Sequence, residues 1–161
     1  MKSNFIGLIG ATCTALIAGG ATSPLHADTV NTSMVECQAV GAPQSDLRHA
    51  ENGVSTEGVV IGGRLVACSV TRSPLPVGAT GTTFLVTGDN RDAKAVTTCS
   101  LGSYDYTGTF LGSSAFTSTT AHYQVALSLP AAQLGFWAYT SMTCLLPERA
   151  TAVLESVIAI Q

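Results

Sequence analysis

The chain has 161 residues, 11% of them charged against roughly 25% in ordinary globular proteins. Its formal net charge is −3, with no basic run, which excludes the phosphate-neutralising footprint of a nucleic-acid binder. Apolar residues make up 46%, too many for a disordered chain. A Lys/Glu/Leu heptad composition is absent, so a coiled coil is excluded too.

In chain order, Met1–Asn4 carry one positive side chain, Lys2, and Phe5 to Ala18 form an uncharged apolar stretch. Gly19 to Ala27 are mostly small residues broken by Pro24, and Leu25-His26-Ala27 offers a cleavage site before Asp28. This is the pattern of a secretory signal peptide over residues 1–27. It leaves a single domain over residues 28–161. The apolar stretch is short for a membrane span and contains Thr12 and Thr14. No second such stretch follows, so the expected protein is secreted or periplasmic, with no membrane insertion after cleavage. Asn31-Thr32-Ser33 matches a glycosylation sequon, read as chance because the signal peptide is of bacterial type.

The whole chain has 21 Thr, 15 Ser and 16 Gly, and the part after residue 27 reads as short strands between turn residues, the pattern of a sandwich or barrel. The spacing predicts strands at Met34–Val40, Val59–Ile61 leading into Arg64–Val70, Thr82–Thr87 and Ala95–Leu101. Pro74 and Pro76 end the Arg64–Val70 strand, since proline cannot donate to a ladder. Gly41 to Asn52 reads as a polar loop, with Asn52-Gly53 as a turn. Thr82–Thr87 and Ala95–Leu101 read as a hairpin around Gly88–Asp92. His122–Leu129 alternates cleanly: Tyr123, Val125, Leu127 and Leu129 share one face. Trp137–Leu146 is a further strand, closed by Pro147. Thr151–Ile160 fits either a strand with Leu154, Ser156, Ile158 and Ile160 inward or a helix started by Pro147 and Glu148; periodicity does not separate the two in so short a run.

Beyond Cys13 in the leader, the cysteines are Cys37, Cys68, Cys99 and Cys144. An even number in an exported chain reads as two disulfides. Three connectivities are open, and Cys37–Cys68 with Cys99–Cys144 is preferred because each bond then ties neighbouring segments. Each such loop closure contributes roughly 3.5–4 kcal/mol in the chain-entropy picture. The wide gaps do not suit a zinc site, which brings cysteines in close pairs, and no Cys-x-x-Cys marks a reactive thiol.

Cys99 within Val96-Thr97-Thr98-Cys99-Ser100-Leu101, the Ser/Thr-rich segment after it, and Tyr139-Thr140-Ser141-Met142-Thr143-Cys144-Leu145-Leu146-Pro147 resemble a group of small uncharacterised secreted bacterial β-sandwich proteins with two disulfides. In that group an aromatic-x-S-x-x-C-x-L-P strand precedes the last strand. Val66-Ala67-Cys68-Ser69-Val70 is similar to its second-cysteine strand, with Ser69 where the group has proline. The resemblance implies an all-β fold, a final strand rather than a helix, and paired cysteines. It implies no activity and no functional residue.

Chemical motifs are few. The chain has no G-x-S-x-G, H-E-x-x-H, G-x-G-x-x-G, P-loop or EF-hand loop, and no cofactor or metal is expected. His49 and His122 are the histidines beyond the leader, and base catalysis by either needs a nucleophile and an orienting carboxylate beside it. Asp89, Asn90 and Asp92 read as a turn that satisfies backbone amides, with a Ca2+ site as the other reading. Asp105, Glu148 and Glu155 are the carboxylates for a glycosidase pair, if the fold brings two of them together.

The aromatic residues carry the most information. If Cys99 and Cys144 bond on neighbouring strands, the period of two puts Tyr104, Tyr106, Trp137 and Tyr139 on the opposite face of that sheet. An exposed face of this kind would stack on sugar rings. The alternative is that it is the core face, with the disulfide outside, or that a bulge at Gly102 turns the tyrosines around. The expectation is an antiparallel β-sandwich of about seven to nine strands, stapled by two disulfides. It is read as a non-catalytic surface or extracellular module binding glycan or another protein. A small hydrolase with dispersed site residues, or an envelope structural protein, are the alternatives.

Overall fold

The computed structural model describes residues 28–161 apart from Val59. The signal peptide read over residues 1–27 lies outside the described residues, as does the first position of the Val59–Ile61 segment.

The described chain is all β. Its strands are β1 (Thr29–Ser33), β2 (Gln38–Ala39), β3 (Leu47–Ala50), β4 (Gly53–Thr56), β5 (Arg64–Val70), β6 (Gly81–Asn90), β7 (Thr97–Tyr104), β8 (Phe110–Ser118), β9 (His122–Pro130), β10 (Tyr139–Leu146) and β11 (Ala152–Ile160). Sheet A orders β3-β4-β11-β6-β9, with β1 also paired to β11; sheet B orders β2-β5-β10-β7-β8. Every pairing between these strands is antiparallel. The antiparallel sandwich expected from alternation is therefore the fold, with more strands than anticipated.

The core lies between the inner faces. Phe84 and Val86 of β6, Leu127 and Leu129 of β9, and Leu154, Val157 and Ala159 of β11 come from sheet A. Val66 and Val70 of β5, Leu101 of β7, and Met142 and Leu146 of β10 come from sheet B. Both disulfides are part of this core. Cys37 bonds Cys68, and Cys99 bonds Cys144. Cys99 sits directly opposite Cys144 in the β7–β10 register, with a Cα–Cα separation of 4.1 Å, which is the close spacing of a narrow antiparallel pair.

Four sequence expectations are corrected. First, Thr82–Thr87 and Ala95–Leu101 do not form a hairpin: β6 belongs to sheet A and β7 to sheet B. Asn90 holds the crossover corner. Its buried amide donates to Ser118 O and Thr120 O, and its carbonyl accepts from Thr97 Oγ1. One side chain thus ties the β6–β7 corner to the β8–β9 corner, and burial of its polar atoms is compensated in full.

Second, Met34–Val40 is not one strand. Met34–Glu36 is a 3-10 turn capped by Ser33, and only Gln38–Ala39 pair, with β5. The loop read over Gly41–Asn52 holds β3, which forms a hairpin with β4. Third, Val60 and Ile61 are not in a strand, and the chain bends through Gly62 and Gly63 at positive φ.

Fourth, the final element is a strand, but its inward set differs from simple alternation. A bulge between Leu154 and Ser156 inserts Glu155, so that Leu154 and Val157 both point to the core and Ser156, Ile158 and Ile160 do not. Gly53 is packed against this bulge at φ 134°, and a Cβ there would lie 2.1 Å from Leu154 O. Only glycine fits that approach.

Candidate functional site

Two central strands of sheet B build the site. In β7 the residues Thr97, Cys99, Leu101 and Ser103 are buried, so Thr98, Ser100, Gly102 and Tyr104 face outward. In β10 Thr140, Met142, Cys144 and Leu146 are buried, so Tyr139, Ser141, Thr143 and Leu145 face outward. The Cys99–Cys144 bond thus lies in the core and the tyrosines lie outside. Tyr104 and Tyr139 are register partners. Their rings stack at 5.4 Å with an 18° interplanar angle. Tyr104 lies over Gly102: a Cβ on that glycine would be 3.0 Å from the ring. The missing side chain lets the tyrosine lie down on the sheet.

Phe110 of β8 extends the row. It opposes Tyr104 through a register shift between Ser103 and Tyr104, and their rings meet edge to face at 5.7 Å. In unbroken alternation Phe110 would share the inward phase of Gly112 and Ser114. The bulge reverses it, which is why the sequence pattern misses this residue.

Two turns at the same end of sheet B carry the other exposed aromatics. In the β7–β8 turn, Asp105 Oδ1 accepts from Thr107 N (2.8 Å), Thr107 Oγ1 (2.6 Å) and Thr109 N (2.9 Å). The Thr107 hydroxyl, followed by the Thr109 amide, holds the Asp105 carboxyl below the usual carboxylate range. This Asx-type turn presents Tyr106, which is 78% exposed.

In the β9–β10 connection, Leu134 is buried and Gln133 occupies the space over Gly112. Gly135–Ala138 then closes a β-turn through Ala138 N to Gly135 O, 2.9 Å. Phe136 and Trp137 are its central residues, 70% and 72% exposed, with rings edge to face at 4.8 Å. Arg72, from the β5–β6 connection, donates Nη2 to both Gly135 O (3.0 Å) and Ala138 O (2.9 Å) and Nη1 to Ser73 O (3.1 Å). The guanidinium bridges both ends of the turn, and its partial burial lowers its pKa.

The four aromatics expected on one sheet face therefore divide. Tyr104 and Tyr139 are on the face, whereas Tyr106 and Trp137 stand in turns beyond the strand ends, because β7 stops at Tyr104 and β10 starts at Tyr139. Phe110 and Phe136 join them. Of the nine Phe, Tyr and Trp residues between 28 and 161, these six gather at one end of sheet B. Phe84, Phe116 and Tyr123 are the three directed inward. Beside Tyr139 a polar groove of about 560 Å³ runs between β5–β10 and the Thr32–Gln38 segment.

The catalytic candidates are not brought together. His49 on β3 and His122 on β9 sit at opposite edges of sheet A. His49 Nδ1 faces Val35 O, and His122 lies 3.6 Å from Asp89, largely in solvent. Asp105 follows one end of sheet B, and Glu148 follows the other end of β10, whose eight residues span roughly 25 Å. Glu155 is in sheet A. A glycosidase pair needs its carboxylates within about 10 Å. Asp92 accepts from Lys94 N, and Asn90 is consumed at its corner, so the Asp89–Asp92 segment does not converge on a cation. Among the described residues no group of three His, Cys, Asp or Glu could hold a metal, and no helix is long and apolar enough to cross a membrane.

No family model and no curated protein matches the sequence. Solved structures do match in fold. A xylan-binding module, CBM15, aligns with a TM-score of 0.51 at 9% identity, over 83% of this chain and 96% of that module. The CBM36-1 domain of a multidomain xylanase from the hindgut metagenome of Trinervitermes trinervoides gives 0.46 at 11% identity, covering 83% and 97%. A carbohydrate-binding module CBM36 in complex with calcium and xylotriose gives 0.42 at 14%, covering 82% and 99%. At these identities the likeness is one of fold.

Proposed function

We propose that this chain is an exported, non-catalytic polysaccharide-binding module, and that the aromatic end of sheet B stacks on sugar rings. The observation that carries the reading is the gathering of six aromatics, five exposed and Tyr104 half-buried, at one end of one sheet, three on its strands and three on turns pinned by Asp105 and Arg72. Exposed aromatic rings are costly in water and are favoured where a ligand covers them. Pyranose rings present an apolar C–H face to an aromatic ring and hydroxyls to neighbouring polar groups. The outward Ser100, Ser113, Ser141 and Thr143 supply such groups. The xylan-binding neighbour makes xylan the first ligand to try. Export is part of the proposal and rests on the signal-peptide pattern of the sequence over residues 1–27 and on the two disulfides, which persist in oxidising compartments.

Trp137 is the single tryptophan, so its fluorescence reports the site directly. Titration with soluble xylan and with hydroxyethylcellulose is expected to shift its emission, and the polymer is expected to retard the protein in an affinity gel. Tyr139→Ala should weaken binding about tenfold or more, on the scale of one lost stacking contact, and leave the fold intact. An unmoved emission and unretarded mobility with both polymers would sink the reading. N-terminal sequencing of protein recovered outside the cytoplasm should begin at Asp28; an intact Met1 would refute the export component.

A further inference from the structure

Resting on that reading, we infer that the binding track does not end at the aromatic row. It continues past Tyr139 into the groove beside it and takes a single extended, uncharged polysaccharide chain running across the strands.

Tyr139 belongs to both features: it stacks on Tyr104 and lines the groove with Thr71, Ser69, Ser141, Glu36 and Gln38. Sheet B places β8, β7, β10 and β5 side by side. Phe110, Tyr104 and Tyr139 occupy the first three, one per strand, and the groove lies over β5. Three inter-strand steps of about 4.8 Å make a track of roughly 14 Å before the groove widens it. The ring centroids are spaced at 5.4 Å in the stacked Tyr104–Tyr139 pair and 5.7 Å in the edge-to-face Tyr104–Phe110 pair, which gives one extended chain successive apolar contacts along the row. The groove is polar and open, lined by hydroxyl, amide and carboxylate groups, so it offers hydrogen bonds where the aromatic row offers stacking.

Charge sets the class of chain. The described residues contain six Lys and Arg. Arg64, Arg91, Lys94 and Arg149 lie at or beyond the opposite end of the sheet B strands, and Arg48 is on β3. Arg72 is the one cation at the aromatic end; its Nη1 and Nη2 are taken by backbone carbonyls and its Nε is buried, so the guanidinium is turned into the protein rather than toward the track. Glu36 lines the groove and Asp105 stands in the β7–β8 turn at the same end; both are acidic. A polyuronate would meet repulsion and no partner; a neutral xylan or glucan would meet none.

The test is a length series. Xylo-oligosaccharides and gluco-oligosaccharides from disaccharide to hexasaccharide are titrated by calorimetry against wild type, Tyr139→Ala and Ser69→Ile, with polygalacturonate as the charged comparison. Ser69 is exposed on β5 and tolerates a β-branched residue, so melting temperature serves as the fold control. Wild-type affinity should climb with length. Ser69→Ile should leave the disaccharide unchanged and cut the hexasaccharide about tenfold. Tyr139→Ala should weaken every length, and polygalacturonate should not bind. A Ser69→Ile protein with wild-type length dependence overturns the track. Tight binding of polygalacturonate overturns the uncharged class. A wild type that binds but ignores length refutes the track and leaves the aromatic site standing, whereas one that binds no oligosaccharide and no polymer refutes both.

Discussion

Two aromatic pairs in this molecule are close to mirror cases. Tyr104 and Tyr139 stack at 5.4 Å on the outer face of sheet B, in water. Phe116 and Tyr123 lean together at 5.7 Å between the sheets, on β8 and β9. Each pair joins two neighbouring segments, and each has a glycine that makes room: Gly102 under Tyr104, and Gly88, whose Cβ would lie 2.2 Å from the Tyr123 hydroxyl. What differs is solvent. The inner pair converts apolar area into stability. The outer pair leaves most of that free energy unrealised until something covers it. Similar residue types at similar spacing thus do opposite work, decided by the phase of alternation.

The contrast can be broken at several points. The largest effect belongs to the interior. Phe84 is fully buried, so Phe84→Ala should cost about 3–5 kcal/mol in a denaturant melt while the folded fraction binds polysaccharide as before. Next is the buried phenol of Tyr123. Burial pushes its pKa up to about 12. A group raised above its unfolded value of about 10 stabilises the protein fully below pH 10 and loses that contribution as pH rises toward 12. Stability should fall by about 2–3 kcal/mol over that window, and Tyr123→Phe should remove the slope; an unchanged slope in the variant assigns the loss elsewhere.

The outer pair should show the reverse balance. Tyr139→Ala should cost about 0.5–1.5 kcal/mol of stability from the lost stack and yet weaken ligand binding about tenfold. If calorimetry finds a stability loss as large as that of Phe84→Ala, the two clusters are not functionally distinct. A stability effect no larger than that of Tyr139→Ala is expected at Arg72. Arg72→Gln removes the bridge across Gly135–Ala138, at a cost of about 1 kcal/mol. Its signature is dynamic: Trp137 anisotropy should fall and acrylamide quenching should rise. Unaltered quenching would show that the turn holds itself.

The two clusters also differ in how legible they were. Tyr104 and Tyr139 could be placed together from the cysteines alone, because alternation relative to Cys99 and Cys144 is a local property of each strand. Phe110 could not, because a bulge in its pairing with β7 inverted its phase. Phe136 and the true setting of Trp137 could not either, because β10 begins at Tyr139 and the turn before it is held by Arg72, over sixty residues away in the chain. No local pattern encodes that clamp. The Thr82–Leu101 pairing is illegible for the same reason: alternation marks both strands, but the second joins the other sheet, and the Asn90 bonds that hold that corner run to carbonyls of Ser118 and Thr120.

The all-β class, the strand faces of His122–Leu129 and Cys99–Leu101, and two cross-links are legible in the amino-acid sequence, because side-chain alternation and turn chemistry act over a few residues. Tertiary structure alone decided which sheet each strand joins, where bulges reverse the alternation at Phe110 and Glu155, and which turns come to rest beside Tyr139. Those outcomes depend on hydrogen bonds and packing between segments tens of residues apart, and their energies exist only once the two sheets have closed on each other.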